Sequence, residues 1–147
     1  MLDVPRALLT ALYRAAVEGA APFPRTHRAA RDWLVTHRDD FEPGARVHLI
    51  ALGKAAPSMF AGTAQALADL ELPVAGGVIV RAFDPSEKAA SGIPDTVRVV
   101  TGDHPVPGPG SLEAGDAIEA AVHEVHAGDV VMILLSGGTT ALAAAPV

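Results

Sequence analysis

Val130-Val131-Met132-Ile133-Leu134-Leu135-Ser136-Gly137-Gly138-Thr139-Thr140-Ala141-Leu142 is the stretch on which the fold turns. Six consecutive apolar residues, most of them branched, predict a strand covered on both faces, as strands of a parallel sheet are. The strand runs straight into Ser-Gly-Gly and then into residues able to open a helix. A glycine turn between a buried strand and a helix presents backbone N–H groups together with the positive end of a helix dipole, which suits an anion such as a phosphate.

Upstream, Val47 to Leu52 predicts a strand ending in Gly53-Lys54, and Ala55 to Leu70 a helix with Met59, Phe60, Ala64, Leu67 and Leu70 at helical spacing. Gly77 to Val80 predicts a second strand, and Val97 to Val100 a third. Between them Arg81 to Pro94 is expected to be a polar loop of fourteen residues, long enough to line a site. Ser111 is placed to cap a helix whose buried face is Ile118, Ala121, Val122 and Val125, with Glu113 near its positive end. Strand and helix therefore alternate from residue 46 to 147. This is the α/β, Rossmann-like doubly wound pattern with a mostly parallel sheet and flanking helices.

Residues 1–45 form a helical lead-in. Val4, Leu8, Leu9, Leu12, Tyr13, Ala16 and Val17 make an apolar stripe, with Pro5 near the first turn. Two prolines break the chain between Ala20 and Pro24. A second helix over Arg25 to Thr36 is expected to bury Trp33 and Leu34, and Glu42-Pro43-Gly44 is a turn.

Composition narrows the function. The 147 residues carry a net charge of −6, with 17 acidic against 11 basic side chains, which argues against nucleic acid or an anionic membrane as partner. No cysteine is present, so disulfides and thiolate metal sites are excluded. The start, Met1-Leu2-Asp3-Val4-Pro5-Arg6, lacks the basic region and apolar core of a signal peptide, and a cytoplasmic protein is expected.

In a doubly wound sheet ligands bind at the carboxyl ends of the strands, where Gly53-Lys54, Gly102-Asp103-His104 and Ser136-Gly137-Gly138 all fall. Lys54 could lie over a phosphate as a point charge, or simply face solvent. The prolines of His104-Pro105-Val106-Pro107 restrict the backbone around His104, suiting it to hydrogen-bond a substrate oxygen or move a proton; a purely structural loop is equally consistent. Ser136 is not a nucleophile elbow, because position 134 is leucine and not glycine. No Walker motif occurs, and Gly53-Lys54-Ala55-Ala56-Pro57-Ser58 lacks the Gly-x-Gly-x-x-Gly fingerprint of dinucleotide binding. His123 and His126, expected on one helix face, are better read as solvated surface than as a metal pair.

Taken in order, Gly-Lys-Ala-Ala-x-x-Met at 53–59, His-Pro-Val-Pro at 104–107 and Leu-x-Ser-Gly-Gly-x-Thr-Ala-Leu at 134–142 resemble the type II glycerate kinases, the glycerate 2-kinase family whose C-terminal part is the MOFRL domain. The resemblance spans residues 46–147, and residues 1–147 would be the N-terminal Rossmann-like portion, without the MOFRL domain. It implies transfer of the ATP γ-phosphoryl group to the 2-hydroxyl of D-glycerate, giving 2-phosphoglycerate with Mg²⁺. Lys54 would be the catalytic lysine. Gly53, Ser136, Gly137, Gly138, Thr139 and Thr140 would form the phosphate or substrate turns, with Asp103 and His104 in the cleft; metal ligands are not assigned. Family members are often labelled hydroxypyruvate reductases, which the missing fingerprint does not favour. A phosphate-binding module without turnover is the alternative. The sheet edge beyond the last strand predicts a homo-oligomer or pairing with the missing C-terminal domain.

Overall fold

The computed structural model describes residues 5–84 and 92–146. Four strands, β1 (Val47–Leu52), β2 (Val74–Ala82), β3 (Val97–Gly102) and β4 (Val130–Leu135), form one sheet in the order β3-β2-β1-β4. Every pairing is parallel. Two helices, α1 (Arg6–Gly19) and α2 (Pro22–His37), precede the sheet. Helix α3 (Ala56–Ala68) links β1 to β2, α4 (Pro109–His123) links β3 to β4, and the short α5 (Thr139–Leu142) follows. The sequence-derived fold class is thus observed. The chain winds outward through β1, β2 and β3 and then returns to the other side of β1. The strand order reverses between β1 and β4, and the crevice at such a switch point is where doubly wound folds take ligands.

Alternation along the strands divides the core in two. Val47, Leu49 and Ala51 of β1, Ile79 of β2 and Leu134 of β4 pack with Leu34 of α2 and with Phe60 and Leu67 of α3. On the opposite face Ile50, Leu52, Val78, Val80 and Val100 meet Ala114, Ala117 and Ala121 of α4 and Leu142 of α5. Each fully buried leucine or phenylalanine contributes roughly 1.5–3 kcal/mol relative to exposure.

Four expectations need correction. First, β4 is covered on one face only. Leu134 is buried, but Ile133 is 62% and Leu135 61% exposed, because α4 lies over β3 and β2 and leaves the β4 side of that face bare. Second, Trp33 is 41% exposed; α2 turns Ala30 and Leu34 inward, and Trp33 stacks instead on His37 with ring centroids 4.8 Å apart. Third, of the expected face of α4, Ala121 is buried and Ile118 packs against the core as foreseen, but Val122 is half exposed and Val125 lies beyond the helix, which ends at His123. Ala114 and Ala117 complete the seat, because small side chains let the helix lie close to the strands. Fourth, α4 begins at Pro109 with Gly108 as its cap, which places Ser111 in the first turn rather than at the cap.

β2 extends to Ala82 and takes Arg81 and Ala82 out of the expected loop, of which residues 85–91 lie outside the described residues. No residue of α1 is buried, so its apolar stripe faces solvent. No helix among the described residues is long and apolar enough to cross a membrane.

At the amino ends of β1 and β4, an ionic cluster ties the two strands together. The Asp129 carboxylate accepts from Arg46 Nη2 at 2.7 Å and from the His126 N–H at 2.9 Å, and lies 3.2 Å from Nε2 of the buried His48. The hydrogen bond from Arg46, followed by that from the His126 amide, holds the Asp129 carboxyl well below the usual carboxylate range. His126 sits beyond the end of α4 and contacts Arg46 through Nδ1, so it does not share a helix face with His123.

Candidate functional site

The turns after β1 and β4 are built against each other. Gly53 adopts φ +116°, a conformation open mainly to glycine, and a Cβ on it would lie 2.3 Å from Ser136 Oγ. That absence of a side chain lets the two turns touch. The Lys54 N–H donates to the Gly137 carbonyl at 3.0 Å, and the Ala55 N–H donates to Ser136 Oγ at 3.0 Å. Ser136 Oγ in turn donates to the Leu52 carbonyl at 3.3 Å.

The structure sorts the sequence-derived site residues into scaffold and surface. Ser136 and Thr139 are scaffold: the Thr139 hydroxyl donates to the Ser136 carbonyl at 2.7 Å, closing the turn on itself. Asp103 is also engaged within the protein, with Oδ2 accepting the Gly110 N–H at 2.7 Å across the start of α4. Lys54, His104, Gly137 and Thr140 are exposed. The Gly137 and Gly138 N–H groups donate to no acceptor among the described residues.

Gly138, at φ +96°, is where the three motifs meet. A Cβ there would lie 3.3 Å from His104 Cδ2 and 3.5 Å from Lys54 Cε. The lysine after β1 and the histidine after β3 therefore converge on the glycine turn after β4, as expected for strand-end loops at a switch point. A cleft of about 380 Å³ opens beside them, lined by Lys54, Pro57, Arg81, Ala82, Phe83, Asp84 and His104. Arg81, Phe83 and Asp84 were not singled out from the sequence. The signal available was the position of Arg81 directly after the apolar run Val78-Ile79-Val80, at the carboxyl end of a predicted strand.

Chemically the arrangement can hold an anion. An ammonium, a guanidinium and an imidazole line a small opening, with Asp84 as its acidic member, and the Gly138 turn lies against Lys54 and His104 beside it. Among the described residues no group of three or more His, Cys, Asp or Glu is arranged to hold a metal ion by itself.

A four-stranded parallel sheet flanked by helices, with its strand order reversing between β1 and β4, defines an α/β fold of the doubly wound class. The chain belongs to the family described as a domain of unknown function, DUF4147, which matches residues 8–147, and it is a glycerate kinase family member corresponding to the N-terminal part. A Pyrococcus horikoshii protein named glycerate 2-kinase is 29% identical over 130 residues, covering 86% of this chain and 27% of its own. An Agrobacterium vitis protein carrying a hydroxypyruvate reductase label is 33% identical over 101 residues, 69% of this chain and 24% of its own. Among solved structures, the PH0495 protein of Pyrococcus horikoshii superposes with a TM-score of 0.54 at 31% identity, over 70% of this chain and 21% of that one. A Thermotoga maritima glycerate kinase superposes equally well, TM-score 0.54, at 24% identity over 91% of this chain and 30% of that one, a likeness of fold. The chain thus spans about a quarter of the length of the curated relatives it matches.

Proposed function

We propose that this chain supplies the N-terminal half-site of an ATP-dependent glycerate 2-kinase acting in the cytoplasm, transferring the γ-phosphoryl group to the 2-hydroxyl of D-glycerate to give 2-phosphoglycerate. The observation that carries the proposal is the convergence of the Lys54 and His104 side chains on Gly138, in the turn after β4 at the switch between β1 and β4. Phosphoryl transfer asks mainly for positioning and for neutralisation of spread negative charge, and this is what such a convergence offers.

In this reading the Gly137 and Gly138 N–H groups bind phosphate oxygens, and Lys54 Nζ follows the charge of the transferring group. The glycerate 2-oxygen forms a bond to the γ-phosphorus as the bond to the β,γ-bridging oxygen breaks and ADP leaves. His104 takes the hydroxyl proton. The residues present fit a Mg²⁺ held chiefly by phosphate oxygens, with Asp84 as the cleft's carboxylate, because Mg²⁺ in phosphoryl-transfer sites commonly uses one or two carboxylates and substrate phosphates. Groups from the rest of a longer chain, including a C-terminal MOFRL domain, would complete the cleft. The hydroxypyruvate reductase label of some relatives fits less well, because the first strand–helix turn lacks the dinucleotide fingerprint.

Phosphorus NMR of the folded protein with Mg-ATP and D-glycerate tests the proposal. A phosphoglycerate signal absent from Lys54→Ala supports it. Mg-ATP binding without product, weakened by Lys54→Ala, would favour a phosphate-binding module instead. A folded protein that binds neither compound would reject both.

A further inference from the structure

We infer that Arg81 is the residue that recognises the carboxylate of the substrate, leaving Lys54 to the phosphoryl group. The inference rests on the kinase reading above and deepens it. The cleft brings together two basic side chains of different character. Lys54 is exposed in a turn, on a flexible stem, and carries a compact charge. Arg81 lies within β2 and is half-buried. Its backbone stands in register with Thr101 of β3, and the preceding Val80 stands opposite Leu52 of β1, so its Cα is held from both sides.

Strand alternation gives Arg81 the same face as Ile79, the face covered by α3, and Pro57 in the first turn of α3 lines the same cleft. A planar guanidinium on a rigid strand suits a planar anion held in one orientation, because the fork matches a carboxylate in two parallel hydrogen bonds. A mobile ammonium suits a group whose charge moves during the reaction. Asp84, the acidic residue of the cleft, suits a hydroxyl or a cation rather than a second anion. The division of labour makes the site selective for a small hydroxy acid over an uncharged polyol.

The test is an NMR titration of the 147-residue chain with D-glycerate and with D-glyceramide, its uncharged isostere, run on wild type, Arg81→Gln, Arg81→Lys and Lys54→Ala, each checked for native circular dichroism. Wild type is expected to prefer glycerate by about 10- to 100-fold, the range a charge-assisted pair supplies. Arg81→Gln should bring that preference close to unity, and Arg81→Lys should retain only part of it, which also serves should Arg81→Gln fail to fold. Lys54→Ala should keep the preference and lose affinity for Mg-ATP. Full preference in folded Arg81→Gln, or its loss in Lys54→Ala alone, would overturn the assignment of Arg81 and leave the kinase reading standing. No glycerate binding by folded wild type would overturn both.

Discussion

The Lys54 main-chain N–H and the Gly137 carbonyl are joined by a 3.0 Å hydrogen bond across the mouth of the sheet. The bond links the turn after β1 to the turn after β4, although 83 positions separate the two residues. It makes the two turns one object, so that a change in either should be felt by both.

Gly53→Ala tests that union. The new Cβ would sit 2.3 Å from Ser136 Oγ and 2.6 Å from the Ser136 carbonyl oxygen, on a backbone at φ +116°. The expected cost is about 2–4 kcal/mol, from the strained conformation together with the forced separation of the turns. Denaturant unfolding measures it, and an unchanged midpoint would contradict so close an approach.

Ser111 carries a comparable burden on the α4 side. Its hydroxyl, fully buried, donates to the Ala141 carbonyl at 2.6 Å and accepts from the N–H groups of Asp103 and Gly108, each at 3.2 Å. Ser111→Ala strips three backbone groups of a partner and is expected to destabilise by roughly 2–3 kcal/mol, whereas Ser111→Thr should cost less if the hydroxyl is what matters. Thermal melts of the two variants should separate clearly.

The cluster at the other end of the sheet gives a pH dependence. The Asp129 carboxyl titrates lower in the folded chain than in the unfolded one, chiefly because Arg46 donates to it. Its stabilisation is therefore complete above the unfolded value of about 3.9 and is lost as pH falls below that, toward the depressed folded value. Unfolding free energies of wild type and Asp129→Asn should differ above pH about 4 and converge under more acid conditions. A difference that grew on acidification would reverse the sign and refute the assignment.

The bare face of β4 should govern association. β4 is an edge strand, and Ile133 and Leu135, both about three-fifths exposed, stand on its uncovered side. Unpaired apolar edges recruit further strands. Sedimentation should show the isolated chain self-associating and Ile133→Lys shifting it toward monomer. A monomeric wild type at high concentration would refute this.

Much of the fold was legible because the local pattern and the tertiary environment agree. Val130–Leu135 was delimited by its apolar run, and Val47–Leu52 by a run broken only by His48, since a strand needs only its own side chains to declare itself. The meeting of Lys54, His104 and Gly138 followed from placing each motif at a strand's carboxyl end. The roles within the site were less legible. Ser136, Thr139 and Asp103 read as ligand groups, yet their oxygens are committed to backbone partners. The availability of a hydroxyl or carboxylate is set by neighbours distant in sequence.

The same distinction separates what each level determined. By itself the sequence determined the alternation of strand and helix, the parallel sheet and the position of three polar turns, because hydrophobic period and glycine placement act over a few residues. Only the tertiary structure decided that β4 lies at an edge with one face bare, that Trp33 stays outside the core, and that Arg81 shares a cleft with Lys54. Those outcomes depend on strand order and on which part of the sheet each helix covers. Such pairings are settled by packing between segments tens of residues apart, and no local pattern records them.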